Sequence, residues 1–433
     1  MTEQKKYLLL KGLIASSIVP IPFIVSQPTL GNGSSMALYL SAVIGYVGIV
    51  LLLWMYILGA KSVIGLYLRD IARVTKLHSK LGKYGILLIF AHPLAAALAY
   101  GENAVLYALV PNLSTQFETY VTFGRIAFYA LLVVWVTSAF VRGRIAYRPW
   151  KYIHYIAYFA LPFALLHIPT IGSSYQSHLA AQLYYLSIVG LYTLFSLLRV
   201  RQLFTLGKTR YTVQSHSSVT ADIMLLRLRA ISSNAIRVKK GQYVYLQTNL
   251  LGEEHPFSVL QYNEDTSDIT IAYKTFGKFT NKLTELQTGT DIYLDGPYGN
   301  FTEEINEEPN KPVVFIAGGI GITPFFDHIL HDTSAEQWLF YANRTEESSA
   351  FADLLKTKLG TRCVSILSAD NTTIDTSPER GYIDATLFKK YLHQPSKYRY
   401  FICGPPPMTR STLHSLLSLG VPSQQIYSEE FSV

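Results

Sequence analysis

Four histidines, His78, His92, His154 and His167, lie in or at the ends of stretches apolar enough to sit in lipid. The first two are 14 residues apart and the second two 13, which on an α-helix is roughly 21 and 20 Å along the axis. Two helices running the same way would therefore present an upper and a lower pair of imidazoles at matched depths. An imidazole in hydrocarbon is costly unless its ring nitrogens are occupied. Facing pairs suit axial ligation of a flat iron porphyrin, with His78 and His154 on an inner b-type haem and His92 and His167 on an outer one. Zinc wants about four close N or S donors, which a set split between two depths does not offer; a proton relay and hydrogen-bonded core histidines are the other readings. On an ideal helix 14 residues return to within about 40° of the same face, while 13 fall about 140° away. Pro162, between His154 and His167, is the expected source of a compensating distortion. Arg125 is a second costly residue, expected either to snorkel to the headgroups or to meet a haem propionate or an anionic product.

The elements that must position these side chains are legible from charge. Residues 1–201 hold 16 Lys/Arg and 4 Asp/Glu, and residues 202–433 hold 21 and 25, so a basic, apolar half (+12) is joined to a mildly acidic one (−4). Charge-free runs at 12–30, 36–60, 84–101 and 126–141, with 47 more residues at 152–198 broken by "IPTIGSS", make six spans of about 20 residues. Lys and Arg precede span one and fill the connections after spans two, four and six, whereas the alternate connections have none. The positive-inside rule then places both termini in the cytoplasm of a multi-pass plasma-membrane protein. The basic surface is assigned to topology and lipid headgroups, not nucleic acid. The two cysteines, Cys363 and Cys403, both in the second half, offer no disulfide framework and no CxxCH attachment for haem.

From "ADIMLLRLRA" the texture changes to short β-rich runs ("GQYVYLQTNL", "DITIAYKTF", "TDIYLDGPYG") separated by turns, as in a small antiparallel barrel. After about 311 strand and helix alternate, the pattern of a parallel α/β domain. The expected domains are a six-helix membrane bundle (1–201), a β-barrel (202–308) and an α/β nucleotide-binding domain (309–433). In "GGIGITP", Gly318, Gly319 and Gly321 follow a strand, and Thr323 and Pro324 open a helix. Glycines admit a pyrophosphate close to the backbone, and the helix start adds free N–H donors. "TFGKFTNKL" repeats the logic: Gly277 permits a tight turn and Thr280 can cap a helix.

Taken in order, "HPFSV", "TFGKFT", "DGPYG", "GGIGITPF" and "CGPPPM" resemble the ferredoxin-NADP reductase superfamily, and the whole chain resembles the NADPH oxidase and ferric reductase family. The resemblance implies that His255, Pro256 and Phe257 shape an FAD site, and that Ser258 hydrogen-bonds the flavin nitrogen that accepts hydride. It implies that Lys274, Gly277 and Thr280 belong to the flavin-binding set. Gly318, Gly319, Gly321, Thr323 and Pro324 would bind the nicotinamide dinucleotide, with Cys403 and Gly404 beside the nicotinamide and Phe431 covering the flavin. Arg344 and Arg380 fall where the superfamily meets the adenosine ribose, which leans toward NADPH over NADH. The animal oxidases carry a further histidine one turn beyond the outer ligand of span three; here that position is Ala96. The implied activity is electron transfer from NADPH (or NADH) through FAD and two b-type haems to dioxygen, giving superoxide, or to a ferric chelate. No obligatory protein partner is visible in the sequence.

Overall fold

The computed structural model describes residues 3–29, 31–65, 67–100, 109–203, 208–231, 235–249, 252–332, 335–369 and 379–430. The chain forms two compact units, residues 1–200 and 201–433.

Among the described residues six helices are long and apolar enough to cross a membrane: Glu3–Ile24, Gly33–Leu58, Ile71–Leu98, Gln116–Ala139, Tyr147–Ile171 and Leu179–Arg201. Span one starts at Glu3, ahead of the charge-free run, because Lys5, Lys6 and Lys11 are carried on the helix itself. The interior of the first unit is a single apolar cluster that includes Tyr46, Val50, Leu53, Leu131, Leu161, Leu165 and Ile188. Large apolar side chains such as Leu87, Leu98, Val133, Leu166, Leu183 and Leu197 point outward. A bundle that is apolar both inside and outside satisfies its backbone within helices and meets hydrocarbon at its surface.

Two local departures from regular helix bear on the histidines. Between His78 and His92, Leu81–Gly85 form a wider π-helical turn. In span five the helix tightens just after His154. The N–H groups of Tyr155, Ile156, Tyr158 and Phe159 donate to the carbonyls of Tyr152, Ile153, Tyr155 and Ile156, three residues back. A 3₁₀ residue turns about 120° instead of 100°, so four of them return about 80° of the 140° deficit. The helix Ala157–Ile171 continues through Pro162, so part of the register is recovered one turn before the proline.

The second unit begins with a closed antiparallel barrel of order β1-β2-β5-β4-β3-β6. Its strands are β1 (Thr209–Ser218), β2 (Ile223–Ala230), β3 (Tyr243–Gln247), β4 (His255–Tyr262), β5 (Ile269–Lys274) and β6 (Asp291–Tyr298). Strand β1 leaves little trace in the sequence because only Tyr211 and Val213 carry its buried face. There follows a sheet of order β10-β9-β8-β7-β11-β12, parallel throughout. It comprises β7 (Val313–Gly318), β8 (Gln337–Asn343), β9 (Cys363–Leu367), β10 (Glu379–Arg380), β11 (Arg399–Gly404) and β12 (Ile426–Glu430). The chain builds outward from β7 to β10 and then returns to place β11 on the other side of β7, so the strand order reverses there. Barrel and sheet share one core, in which Leu260 and Ala272 join Phe301, Phe315, Phe325 and Phe401. A polar cluster also ties them: Lys240 pairs with Asp332, and fully buried His328 bridges Asp332 (2.7 Å) and Thr302 (3.0 Å). Burial alone would raise the Asp332 carboxyl, but His328 and Lys240 outweigh it and hold the group below the usual carboxylate range.

Candidate electron-transfer sites

The structure brings the four histidines together in the two expected pairs. Ring centroids of His78 and His154 are 6.1 Å apart, and those of His92 and His167 6.4 Å. Two imidazoles on opposite sides of one metal, each with a metal–nitrogen bond of about 2 Å, have centroids roughly 6 Å apart, so both pairs have the separation that one ion in a flat macrocycle requires. Among the described residues no group of three or more His, Cys, Asp or Glu gathers as a metal-ion site; two-ligand axial sites lie outside that pattern.

Each ring is oriented from the neighbouring span. Span two holds both histidines of span three: His92 Nδ1 donates to the Ser41 carbonyl (2.8 Å) and His78 Nδ1 to the Met55 carbonyl (3.0 Å). Span four holds those of span five, with His167 Nδ1 on the Tyr120 carbonyl (3.0 Å) and His154 Nδ1 against Ser138 Oγ (3.3 Å). A carbonyl only accepts, so in His78, His92 and His167 the proton sits on Nδ1 and the Nε2 lone pair is left for a ligand's position.

A glycine one turn on makes two of these bonds possible: a Cβ at Gly45 would lie 2.9 Å from His92 Nδ1 and one at Gly124 2.7 Å from His167 Nδ1, while one at Gly59 would meet His78 Cε1 at 3.7 Å, an ordinary contact. Each glycine stands four residues after the accepting residue, so its own helical N–H shares the same carbonyl. Gly45 and Gly59 are 14 residues apart, the interval between His78 and His92. That matched spacing is a sequence signal for the pairing, one that the histidine intervals alone do not use.

The surroundings of the two pairs differ. At the inner pair Trp150 stacks on His154 (centroids 5.0 Å, 30°), and Arg142 lies over the Trp150 ring at 4.5 Å. Near the outer pair Arg125 is buried. It donates to Glu118 (2.9 Å) and to Thr122 Oγ1 (3.1 Å), which excludes snorkelling to the headgroups. The partner has a sequence signal, since Glu118 lies two helical turns before Arg125 on the same face.

In the barrel, the flavin candidates gather on β4 and the loop after β5. Ser258 is buried and pairs with Tyr243, which also pairs with Tyr298. The three lie side by side, and neither tyrosine stands out from the sequence. His255 stacks on Phe279 at 3.8 Å, and Phe257 lies parallel to the same ring at 6.2 Å, while Pro256 is exposed. Gly277 (φ 91°) precedes the helix Lys278–Thr284. Thr280 is inside that helix, not at its cap: its hydroxyl accepts from the Phe276 N–H (2.8 Å), so it locks the loop. Lys274 pairs with Asp222 at 2.9 Å on a half-exposed surface.

The nucleotide candidates converge where the strand order reverses, the ordinary ligand position of an open parallel sheet. Strand β7 ends at Gly318 and β11 at Gly404. Gly319 (φ 54°) faces open space, while a Cβ at Gly321 would fall 2.2 Å from the Cys403 carbonyl oxygen. Gly319–Ile322 form a 3₁₀ turn before the helix Thr323–His331, whose second residue is Pro324. Thr323 is buried, and its hydroxyl donates to the Ile320 carbonyl (3.0 Å). Burial pushes the Cys403 thiol well above its usual range, leaving it neutral. Arg344 follows β8 and Arg380 ends β10, both on the carboxyl edge of the sheet. Phe431 lies outside the described residues.

Residues 44–165 match the ferric reductase like transmembrane component, residues 210–302 an oxidoreductase FAD-binding domain, and residues 315–414 an oxidoreductase NAD-binding domain. The reductase component of propane 2-monooxygenase from Rhodococcus jostii is 27% identical over 230 residues, 49% of this chain and 61% of that protein. The corresponding reductase component from Mycolicibacterium goodii is 27% identical over 227 residues, 49% of this chain and 64% of that protein. The chain thus spans less than two thirds of the length of either. Among solved structures, the ferredoxin reductase in carbazole 1,9a-dioxygenase is 22% identical over 52% of this chain and 69% of that one (TM-score 0.46). A flavohemoglobin from Malassezia yamatoensis with bound FAD and heme is 17% identical over 88% and 99% (TM-score 0.48).

Proposed function

From a chain with the three-domain architecture of the NADPH oxidase and ferric reductase family, a multi-pass membrane oxidoreductase, we propose a transmembrane NAD(P)H oxidase. It carries electrons from cytoplasmic NADPH to dioxygen across the plasma membrane and releases superoxide. The observation that carries the reading is the two facing imidazole pairs, 6.1 and 6.4 Å between ring centroids. His78 and His154 would hold an inner b-type haem and His92 and His167 an outer one. His255, Phe257, Ser258, Gly277 and Thr280 would hold FAD, and Gly318, Gly319, Gly321, Thr323, Cys403 and Gly404 the nicotinamide dinucleotide. When bound, flavin turns the two electrons of a hydride into single electrons, and each haem iron carries one at a time.

The chain's own part is orientation and insulation. Backbone carbonyls of spans two and four fix the tautomers of His78, His92 and His167, and the apolar bundle keeps water from the pairs. The neutral thiol of Cys403 offers no charge beside the nicotinamide position. Arg344 and Arg380, on the open edge of the sheet, favour the 2'-phosphate of NADPH through charge-assisted hydrogen bonds. Arg125 and Glu118 place a fixed dipole near the outer pair. A ferric chelate is the second acceptor, because the membrane segment matches the ferric reductase like component.

The test is the visible spectrum of the purified, FAD-supplemented protein. Two bis-histidine b-type haems per FAD are expected, and a protein without a haem spectrum would overturn the reading. Gly124→Ala puts a methyl 2.7 Å from His167 Nδ1 and should weaken the outer site by about 10–100-fold in haem retention, the usual cost of disturbing a ligand's orienting shell. Gly190→Ala, with nothing within 4 Å, is the control in the same bundle, and equal haem retention in the two variants would contradict the glycine argument.

A further inference from the structure

The two histidine pairs stand in different electrostatic settings. Arg199, near the cytoplasmic end of span six, lies over the rings of Tyr158 and Tyr56, 4.4 and 5.7 Å from their centroids, and donates to the Tyr158 hydroxyl. Its Nη1 is buried without a hydrogen-bond partner, and among the described residues no carboxylate pairs with it. Both tyrosines belong to the inner site's surroundings. Tyr56 follows Met55, whose carbonyl holds His78, and Tyr158 lies one turn after His154. The guanidinium thus lies between two side chains that adjoin the elements holding both histidines of the inner pair. Near the outer pair, by contrast, the charge of buried Arg125 is countered by Glu118 at 2.9 Å.

We propose that Arg199 is the fixed charge that raises the electron affinity of the inner site above what the two imidazoles alone would give. This rests on the haem reading above. Adding one electron to a bound haem lowers the local charge by one, and a nearby cation that no carboxylate cancels favours that change. A unit charge roughly 10 Å away, at an effective dielectric of about 20, is worth about tenfold in an equilibrium constant. The two flanking tyrosines keep the guanidinium in place without neutralising it, which a carboxylate would do. An electron delivered from the cytoplasmic side is therefore retained at the inner pair until the far-side acceptor draws it outward.

The experiment is potentiometric titration of the haem absorbance in the full-length holoprotein. Arg199→Gln is expected to lower one of the two midpoints by about tenfold in electron affinity, about 59 mV for a one-electron couple, and to leave the other in place. In a His92→Ala background, where only the inner site is filled, the remaining midpoint should fall by the same amount. Arg199→Lys keeps the charge and should keep the wild-type midpoints. Should Arg199→Gln not accumulate, Tyr158→Phe, which removes the anchoring hydroxyl, should give a smaller displacement of the same sign. Unchanged midpoints with full haem content, or a Lys variant that falls as far as the Gln variant, would overturn the proposal while leaving the haem reading intact. A wild-type protein with no haem spectrum would overturn both.

Discussion

Replacing His92 with alanine is expected to remove one of two haems and to abolish reduction of the far-side acceptor, while NADPH still bleaches the flavin at its normal rate. His92 faces His167 at the outer level, and its orientation is fixed by the Ser41 carbonyl at 2.8 Å. Without it, His167 alone offers a single axial nitrogen. The inner pair, held separately by Met55 and Ser138, is untouched, and the flavin and nucleotide candidates belong to the other unit. Acceptor turnover should fall by at least about 100-fold, since loss of an axial ligand exceeds the 10–100-fold cost of disturbing the groups that orient it. Haem content should drop from two to one per FAD, and stopped-flow flavin reduction should be unchanged. Unaltered haem content would remove His92 from the ligand set.

Gly321→Ala should produce the opposite phenotype: both haems in place and reducible by dithionite, but NADPH oxidation down by about 100-fold or more. The new Cβ would sit 2.2 Å from the Cys403 carbonyl oxygen and 2.8 Å from its carbon. Strand β11 cannot yield, because it is hydrogen-bonded to β7 on one side and β12 on the other. The glycine turn must therefore move away from the point where the strand order reverses, and a displacement of about 1 Å in a positioning element can cost about 100-fold in rate. Gly319→Ala is the comparison. With nothing within 4 Å its cost is conformational, from φ 54°, and of the order of 1–2 kcal/mol. Equal losses in the two variants, or normal NADPH oxidation in Gly321→Ala, would contradict the assignment of this turn.

These two variants probe features that differ in how far the sequence reveals them. The histidines stand out because ionisable groups in apolar spans are rare, and their intervals give the pairing. The helix path does not follow, since ideal 3.6-residue geometry takes no account of hydrogen bonds that shift to three residues back, as they do at Tyr155–Phe159. Gly45 and Gly124 look like ordinary small residues of membrane helices; only the packed neighbours show that each leaves room for an imidazole. Arg125 is recognisably costly, and its carboxylate partner, Glu118, lies two turns earlier on the same helix. In the second unit, β-rich runs and glycine turns mark the barrel and sheet well. Strand β1 lacks the apolar alternation that would disclose it, and the threonine that reads as a cap, Thr280, closes the preceding loop with its hydroxyl. What no local pattern discloses is the meeting of Gly321 with Cys403, which arises because β11 returns to lie beside β7.

The measurement that bears most directly on the oxidase reading is NADPH-driven reduction of cytochrome c by the purified, FAD-supplemented protein, with and without superoxide dismutase. Suppression of the signal by the dismutase is the expected result, because on the proposed reading superoxide would carry the electron from the outer pair to the cytochrome. Reduction that continues unchanged in its presence would contradict the oxidase reading, and would mean that electrons pass directly to a metal acceptor.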